Sequence, residues 1–537
     1  MLWWKSGVIY QIYPRSFYDQ NGDGVGDLAG IIDKLGYVEA LGVDAIWISP
    51  FYPSPMADFG YDISDFEDVD PIFGDLATFD RLIDEAHRRN LKVIVDFVPN
   101  HSSDQHPWFI ESRASRDNPR RNFYVWADPK PDGSPPNNWL SVFGGPSWTL
   151  DAATGQYYLH SFLREQPDLN WRNPEVKAAM FDALRFWLER GVDGFRLDTV
   201  LRVLKDPAMR DNPPNPNRDP SMHRAMGDYD SQLHPNDHGH PDVHELFREL
   251  RQLIDSYGKE RPRMAIAELH VWNSTEWASY YGVNLDELHL PFNFGLLKTP
   301  WHAGSVRAHI AAIEGSLQPG AWPNYVVGNH DETRIASRVG REQARVAMML
   351  LLTLRGTPTL YNGDELGMTD VPIPPERAQD PWGKNVPCLN LGRDPQRTPM
   401  QWSAQPNAGF CPPGVEPWLP VADDHREINV AVESGDARSL LALTRALLAL
   451  RRAAPALHAG SHESVPDVPD DCFVYLRTSA AERYVVALNF GPGAHVLALP
   501  GLGRGRLLLS THLDREGAAD LRSFPLRGHE GCVIALD

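Results

Sequence analysis

The stretch Val176-Lys-Ala-Ala-Met180-Phe-Asp-Ala-Leu184-Arg-Phe-Trp187-Leu-Glu-Arg190-Gly-Val192-Asp-Gly194-Phe195-Arg196-Leu197-Asp198 decides the fold class of this chain. Residues 176–190 are amphipathic at helical spacing. Beyond Gly191, Gly194 to Leu197 make a short apolar run that stops in a carboxylate. A helix feeding a short buried strand is the repeating unit of a parallel sheet.

The unit recurs on both sides of this stretch. Apolar runs at residues 8–13, 45–49, 93–98, 264–267, 325–327 and 359–361 read as strands. Helical periods at 31–41, 79–89 and 243–257 precede three of them. Alternation sustained this far predicts an α/β fold, a closed (β/α)8 TIM barrel in preference to an open sheet. Two polar stretches break the rhythm. Residues 101–170, rich in Pro, Asn, Trp and Gly, read as a domain inserted after the third strand. Residues 201–241 read as a long loop after the strand at 194–197, and loops this long inside a domain usually carry function. After the helix at 440–452 the pattern becomes short strands separated by turns, at 473–477, 484–489, 506–510 and 531–536. The expected division is a barrel over 1–100 and 171–457, an inserted domain over 101–170 and a C-terminal antiparallel β-sandwich over 458–537. No internal repeat or low-complexity tract stands out.

The formal net charge of −20 argues against nucleic acid and anionic membranes as partners. No apolar run reaches the ~18 residues of a membrane span, and the N-terminus lacks the layout of a signal peptide, so a cytoplasmic protein is expected. Cys388, Cys411, Cys472 and Cys532 are widely spaced. Free thiols in a reducing compartment are expected, with two disulfides as the alternative.

Catalytic groups of such a barrel sit at the carboxyl ends of its strands. Here those ends carry Asp96 to His101, Arg196 and Asp198, Glu268, and Asn329-His330-Asp331. Loops are polar in any protein, but four strand ends bearing acids, imidazoles and a guanidinium exceed what solvation requires. Cleaving a glycosidic bond takes two carboxyl groups, one ionised and one protonated. Arg196 and Asp198, two apart on a strand, face the same side. The guanidinium is expected to keep Asp198 ionised as nucleophile. Glu268 follows the apolar Ala265-Ile266-Ala267, and desolvation there is expected to raise its pKa as the proton donor. Asp331 is a third acid, suited with His330 to fixing sugar hydroxyls.

These four segments resemble the four conserved regions of the α-amylase family of glycoside hydrolases, family 13. Gly42-Val-Asp-Ala-Ile-Trp-Ile-Ser-Pro50 agrees with that resemblance. Gln166-Pro-Asp-Leu-Asn170 and Arg397-Thr-Pro-Met-Gln-Trp402 resemble its oligo-1,6-glucosidase and α-glucosidase branch. The resemblance implies retention through a covalent glucosyl-enzyme, with Asp198 as nucleophile, Glu268 as acid/base and Asp331 as stabiliser. It implies that Asp58, Tyr61, His101, Arg196, His330 and Arg397 hold one glucose, with Tyr61 stacked on its face, and that Phe143, Phe162 and Gln166 border it. For the two Phe, plain loop packing is an equal alternative. The residue before the acid/base is usually Gly in this family; here it is Ala267, a small change.

Asp19-Gln-Asn21-Gly-Asp23-Gly-Val25-Gly-Asp27 alternates oxygen ligands with small residues. Side chains of Asp19, Asn21, Asp23 and Asp27 with the Val25 carbonyl suit a structural Ca²⁺ or Mg²⁺. The same loop recurs in the enzymes this chain resembles. The histidines between His234 and His240 show no ordered ligand spacing and read as a plain loop.

The expected activity is that of an exo-acting α-glucosidase, releasing α-glucose from the non-reducing end of maltose-like substrates and transferring it also to sugar or alcohol acceptors. Thr199 and Val200 bear on linkage, and α-1,4 and α-1,6 preference both stay open. An oligo-1,6-glucosidase, a sucrose isomerase or a trehalose synthase shares these catalytic residues. A non-catalytic amylase-fold interaction protein is a remoter reading, because all three acids are present. Oligomeric state is not legible.

Overall fold

The computed structural model describes residues 2–217, 226–259, 261–386 and 391–537. Eight short strands form one sheet: β1 (Ile9–Ile12), β2 (Ala45–Ile48), β3 (Lys92–Phe97), β4 (Gly194–Leu197), β5 (Met264–Ala267), β6 (Leu290–Pro291), β7 (Asn324–Val326) and β8 (Thr357–Tyr361). Their order is β7-β8-β1-β2-β3-β4-β5-β6, and every ladder in it is parallel. Seven of the eight follow the apolar runs of the sequence. β6 does not, because two residues carry no period.

Between β6 and β7 the ring is completed by a side chain. Asn324 donates through Nδ2 to the Pro291 carbonyl and accepts the Asn293 N–H at 3.0 Å. Pro291 has no N–H for a ladder, and one buried amide takes over that junction.

Period two then sorts every strand into two faces. Ile9, Ala45, Trp47, Ile94, Met264, Ile266, Leu290 and Val326 fill the barrel interior as one cluster. Their alternates, such as Tyr10, Ile46, Val95, Phe195, Ala265 and Leu360, pack outward beneath the helices. Those helices are capped by the residues that start them. Asp27 accepts the Gly30 N–H before Leu28–Leu41, Asp75 the Thr78 N–H before Leu76–Arg88, and Asn173 the Glu175 N–H before Pro174–Glu189, where a Pro opens the helix.

The insertion after β3 holds a helix, Pro107–Ala114, and a small antiparallel sheet of Trp126–Ala127, Gln156–Leu159 and Trp148–Asp151. It is tied to the barrel at depth. Lys205 Nζ lies 2.6 Å from Asp168 and donates to Asn100 at 2.9 Å. At the C-terminus six antiparallel strands, first Ser461–Ser464 and last Gly531–Leu536, form a sheet beside a two-stranded ribbon. That sheet packs on the helices Arg341–Thr353, Ala303–Ser316 and Pro455–Ala459. Tyr475 shares a hydrogen bond with Thr353 at 2.6 Å, and Arg451 donates to the carbonyls of Leu352, Leu354, Gly356 and Leu457.

Cys411, Cys472 and Cys532 are buried free thiols, while Cys388 lies outside the described residues. Among the described residues no helix is long and apolar enough to cross a membrane.

Candidate active site

The inward column of each strand continues upward into the site. Above Ile9 comes Gln11, above Ile94 comes Asp96, above Gly194 come Arg196 and Asp198, and above Ile266 comes Glu268. The parallel register sets Asp96 beside Arg196. All of these side chains are buried. Period two thus turns a hydrophobic barrel core into a charged floor within one step along each strand.

Arg196 is the hub of that floor. Its Nη1 donates to Asp96 at 2.9 and 3.1 Å and to Asp198 Oδ1 at 2.6 Å, and its Nη2 donates to Glu268 Oε2. This corrects the expected electrostatics. Arg196 does not serve Asp198 alone, and Glu268 does not stand in an apolar niche. Three carboxylates share one guanidinium. Burial, together with the neighbouring charges of Glu268 and Asp96, pushes the Asp198 carboxyl well above its ordinary range despite Arg196. Burial of Glu268 is outweighed by Arg196 and by His270, whose Nε2 lies 2.7 Å from Oε1, and its carboxyl is held low. Asp96 is raised to about 6 by burial against the pull of Arg196. Like charges this close oppose one another's ionisation, so Asp198 and Glu268 titrate as a coupled pair.

Asp331 sits on the opposite wall. Arg397 Nη2 donates to its Oδ1 at 2.7 Å and Arg393 Nη1 at 3.2 Å. Burial opposes its ionisation, but His330 and these two guanidinium groups hold it well below the usual carboxylate range. Burial lowers His330 to about 3, so the ring is neutral. Gln11 Nε2 lies 2.8 Å from its Nδ1, while Nε2 lies 2.8 Å from the Tyr61 hydroxyl and 3.3 Å from Asp331. A proton on Nε2 satisfies all three contacts, and the Tyr61 hydroxyl then donates to Asp96 at 3.2 Å.

A cavity of about 760 Å³ opens above these groups. Asp58, Tyr61, His101, Phe143, Phe162, Asp198, Glu268 and Asp331 all line it. Gln166, Arg196, His330 and Arg397 do not; they lie behind the wall and hold the groups that do. Gln166 donates to Asp58 at 3.3 Å and lies 3.0 Å from His101 Nε2. Tyr61 is stacked on His330, centroids 5.6 Å apart and 3° between planes, which fixes the ring it presents to the cavity. His101 is buried and lowered to about 4 by that burial, hence neutral. Phe143 and Phe162 face the cavity and also pack with Val142, Leu163 and Trp382 in one cluster.

Sequence reading missed several participants. Arg393 joins Asp58 at 2.6 Å, Asp380 at 2.7 Å and Asp331. It arrives from beyond β8, where no strand-end pattern marks it. The 201–241 loop forms one wall through Arg202, Tyr229 and His238. Trp272 and Trp382 line the cavity as well. Arg202 lies over Phe162 and Tyr229 at 5.5 and 5.4 Å, so cations and rings alternate around the mouth. His234 is stacked on Tyr229 and bound to Asp237, as befits a structural loop.

In the Asp19–Asp27 segment, Asp19 accepts the Gly22 and Gly24 N–H groups at 2.6 and 2.8 Å, and Asp27 those of Gln20 and Gly30 at 3.1 and 2.6 Å. Asn21 and Asp23 are exposed. Among the His, Cys, Asp and Glu side chains of the described residues, only His512, Asp514 and Glu530 bring three ligand atoms within 4.8 Å of one another. There Arg515 and Arg527 already neutralise Glu530.

A parallel barrel with paired acids at its strand ends, opening into one deep cavity, defines a carboxylate-dependent barrel hydrolase. The chain belongs to the alpha-amylase family of glycoside hydrolases: the family's catalytic-domain model matches residues 11–460. It is a glucosidase or glucosyltransferase of that family. A probable alpha-glucosidase of Rhizobium meliloti (strain 1021) is 44% identical over 514 residues, covering 93% of this chain and 91% of that one. An oligo-1,6-glucosidase of Parageobacillus thermoglucosidasius is 36% identical over 573 residues, with 100% and 99% covered. Among solved structures, the alpha-glucosyl transfer enzyme XgtA superposes with a TM-score of 0.93 at 42% identity, both chains fully covered. The trehalulose synthase MutB of Pseudomonas mesoacidophila MX-45 does so at 0.88 and 35%, again over both whole chains.

Proposed function

We propose that this enzyme is a retaining, exo-acting α-glucosidase acting on maltose-like disaccharides and short oligosaccharides through a covalent glucosyl-enzyme, with glucosyl transfer to sugar or alcohol acceptors as a second outcome. The observation that carries this reading is the Arg196 fork. It holds Asp198 and Glu268 on one guanidinium, which supports the ~5–5.5 Å carboxyl separation of retaining enzymes.

Asp198 attacks the anomeric carbon while Glu268 gives a proton to the leaving oxygen. Water or an acceptor hydroxyl then attacks the glucosyl ester as Glu268 takes its proton back. Catalysis needs a proton on Glu268 and the charge on Asp198. Asp331, Asp58 and Arg393 supply fixed charges toward sugar hydroxyls. The aromatic mouth of Phe143, Phe162, Tyr229 and Trp272 offers flat faces to an acceptor, which supports transfer.

Asp19, Asn21, Asp23, Val25 and Asp27 each offer an oxygen, which suits a hard cation. A Ca²⁺ or Mg²⁺ there would tie the exposed Asp23 to the buried Asp19 and Asp27 and stiffen the start of helix Leu28–Leu41.

The test is proton NMR of the sugar released from maltose, isomaltose and sucrose. α-Glucose must appear first, with maltose turned over faster than isomaltose. β-Glucose as first product ends the retaining reading, and an isomerised disaccharide moves the enzyme to the transferase side.

A further inference from the structure

Glu268 has both carboxylate oxygens occupied, one by Arg196 and Thr199, the other by His270. Arg196 is 1% exposed and pinned by Asp96 and Asp198, so its contact is built into the floor. The Thr199 N–H lies 3.4 Å from the same oxygen. His270 is different. It comes from the loop after β5, its Nε2 lies 2.7 Å from Oε1, and its side chain is half exposed in the cavity. Its ring rests on Phe294, centroids 5.5 Å apart, with Trp272 at 6.3 Å. This apolar seat leaves the ring one polar partner on the catalytic side.

We propose that His270 is a positioning residue that holds the Glu268 carboxylate in its ionised form through the Nε2–H···Oε1 bond, and so sets the pH at which Glu268 changes from acid to base. The inference rests on Glu268 being the acid/base. The physical basis is that a donor to the charged form of a carboxyl stabilises that form. His270 faces Glu268 on its own strand extension. From the 201–241 loop His238 lies near His270 and Arg202, and burial holds its ring well below the ordinary histidine range, so it adds no charge. Glu268 is faced by Arg196 and Asp198 from β4, Asp96 from β3 and Asp331 from beyond β7. Only His270 among these is solvent-accessible enough to be replaced without emptying the floor.

The sign follows directly. Without the donor, Glu268 keeps its proton to higher pH. The basic limb of kcat/KM on maltose, which reports loss of the last proton from the coupled Asp198–Glu268 pair, then moves up. The experiment is the pH profile of kcat/KM on maltose for His270→Leu and His270→Gln beside the unmodified enzyme. His270→Leu is expected to move the basic limb up by about one pH unit, the range of a hydrogen bond to a charged group. His270→Gln, which keeps an N–H donor but cannot titrate, is expected to leave the limb near its original place. A limb that does not move in His270→Leu overturns the proposal. So does a His270→Gln profile shifted as far as that of His270→Leu, because the donor would then not be the cause. A fall in amplitude alone is a structural effect and counts against it. Glu268→Gln separates this from the acid/base assignment: it must lose maltose turnover far more than turnover of a nitrophenyl α-glucoside, whose leaving group needs no proton. If it does not, the assignment fails, whatever His270 does.

Discussion

Replacing Arg196 with lysine puts the charge network under the most direct strain. The guanidinium makes four charge-assisted bonds, two to Asp96, one to Asp198 and one to Glu268. An ammonium is a point charge and cannot reproduce a planar fork between three carboxylates. Each bond to a charged group is worth ~1.5–3 kcal/mol, so losing two costs roughly 3–6 kcal/mol. If that loss falls on the transition state, kcat/KM drops by roughly 10²–10⁴-fold. The ammonium cannot reach all three carboxylates at once, so Asp198 is less well compensated, which pushes its carboxyl higher still and moves the acidic limb of the pH profile upward. The assay is kcat/KM on a nitrophenyl α-glucoside across pH, with calorimetric Tm to separate unfolding from inactivation. A variant within threefold of the unmodified enzyme, with an unshifted profile, would refute the view that one guanidinium organises the pair.

Two further outcomes follow from features outside the floor. Glu433 is buried near Glu365, and burial raises its carboxyl to about 7. A raised folded pKa means stability that is present at low pH and lost as pH climbs from the unfolded value near 4.5 through about 7. Glu433→Gln, which keeps an acceptor for the Leu441 N–H, should leave Tm unchanged at about pH 5 and raise it at about pH 8.5; equal Tm differences at both pH values contradict this. Chelation should lower Tm, and added Ca²⁺ or Mg²⁺ should restore it, with Asp23→Ala blunting the effect. A Tm indifferent to chelator and cation removes the metal from the Asp19–Asp27 loop.

What the sequence exposed, and what it hid, follows the range of the forces involved. Every barrel strand but β6 announced itself through a short apolar run. Arg196 and Asp198 could be placed on one face because period two is local. β6 was hidden by its length, and the Asn324 closure by distance, since Asn324 and Pro291 meet only when the ring forms. The short strands 126–127, 148–151 and 156–159 were hidden too, each too brief to show alternation.

The electrostatics were the least legible part. Sequence spacing puts Arg196 beside Asp198, yet parallel register adds Asp96 from β3, and Glu268 reaches across from β5. A neighbour two residues away is therefore one partner in three. Apolar residues before Glu268 describe the barrel interior below it, not the polar groups around its carboxyl. Arg393 and Asp380, from the segment beyond β8, complete the opposite wall with no local signature. The acids themselves stood out because strand ends are where a barrel places its chemistry.

The most direct test of the central claim is peptide mapping of the covalent intermediate. A slow fluorinated α-glucosyl substrate would be used to accumulate the glucosyl-enzyme, followed by proteolysis and mass spectrometry. The account predicts one hexosyl adduct, carried by the peptide containing Gly194-Phe195-Arg196-Leu197-Asp198 and located on Asp198. An adduct on Glu268 or Asp331, or turnover with inversion and no adduct at all, would contradict it.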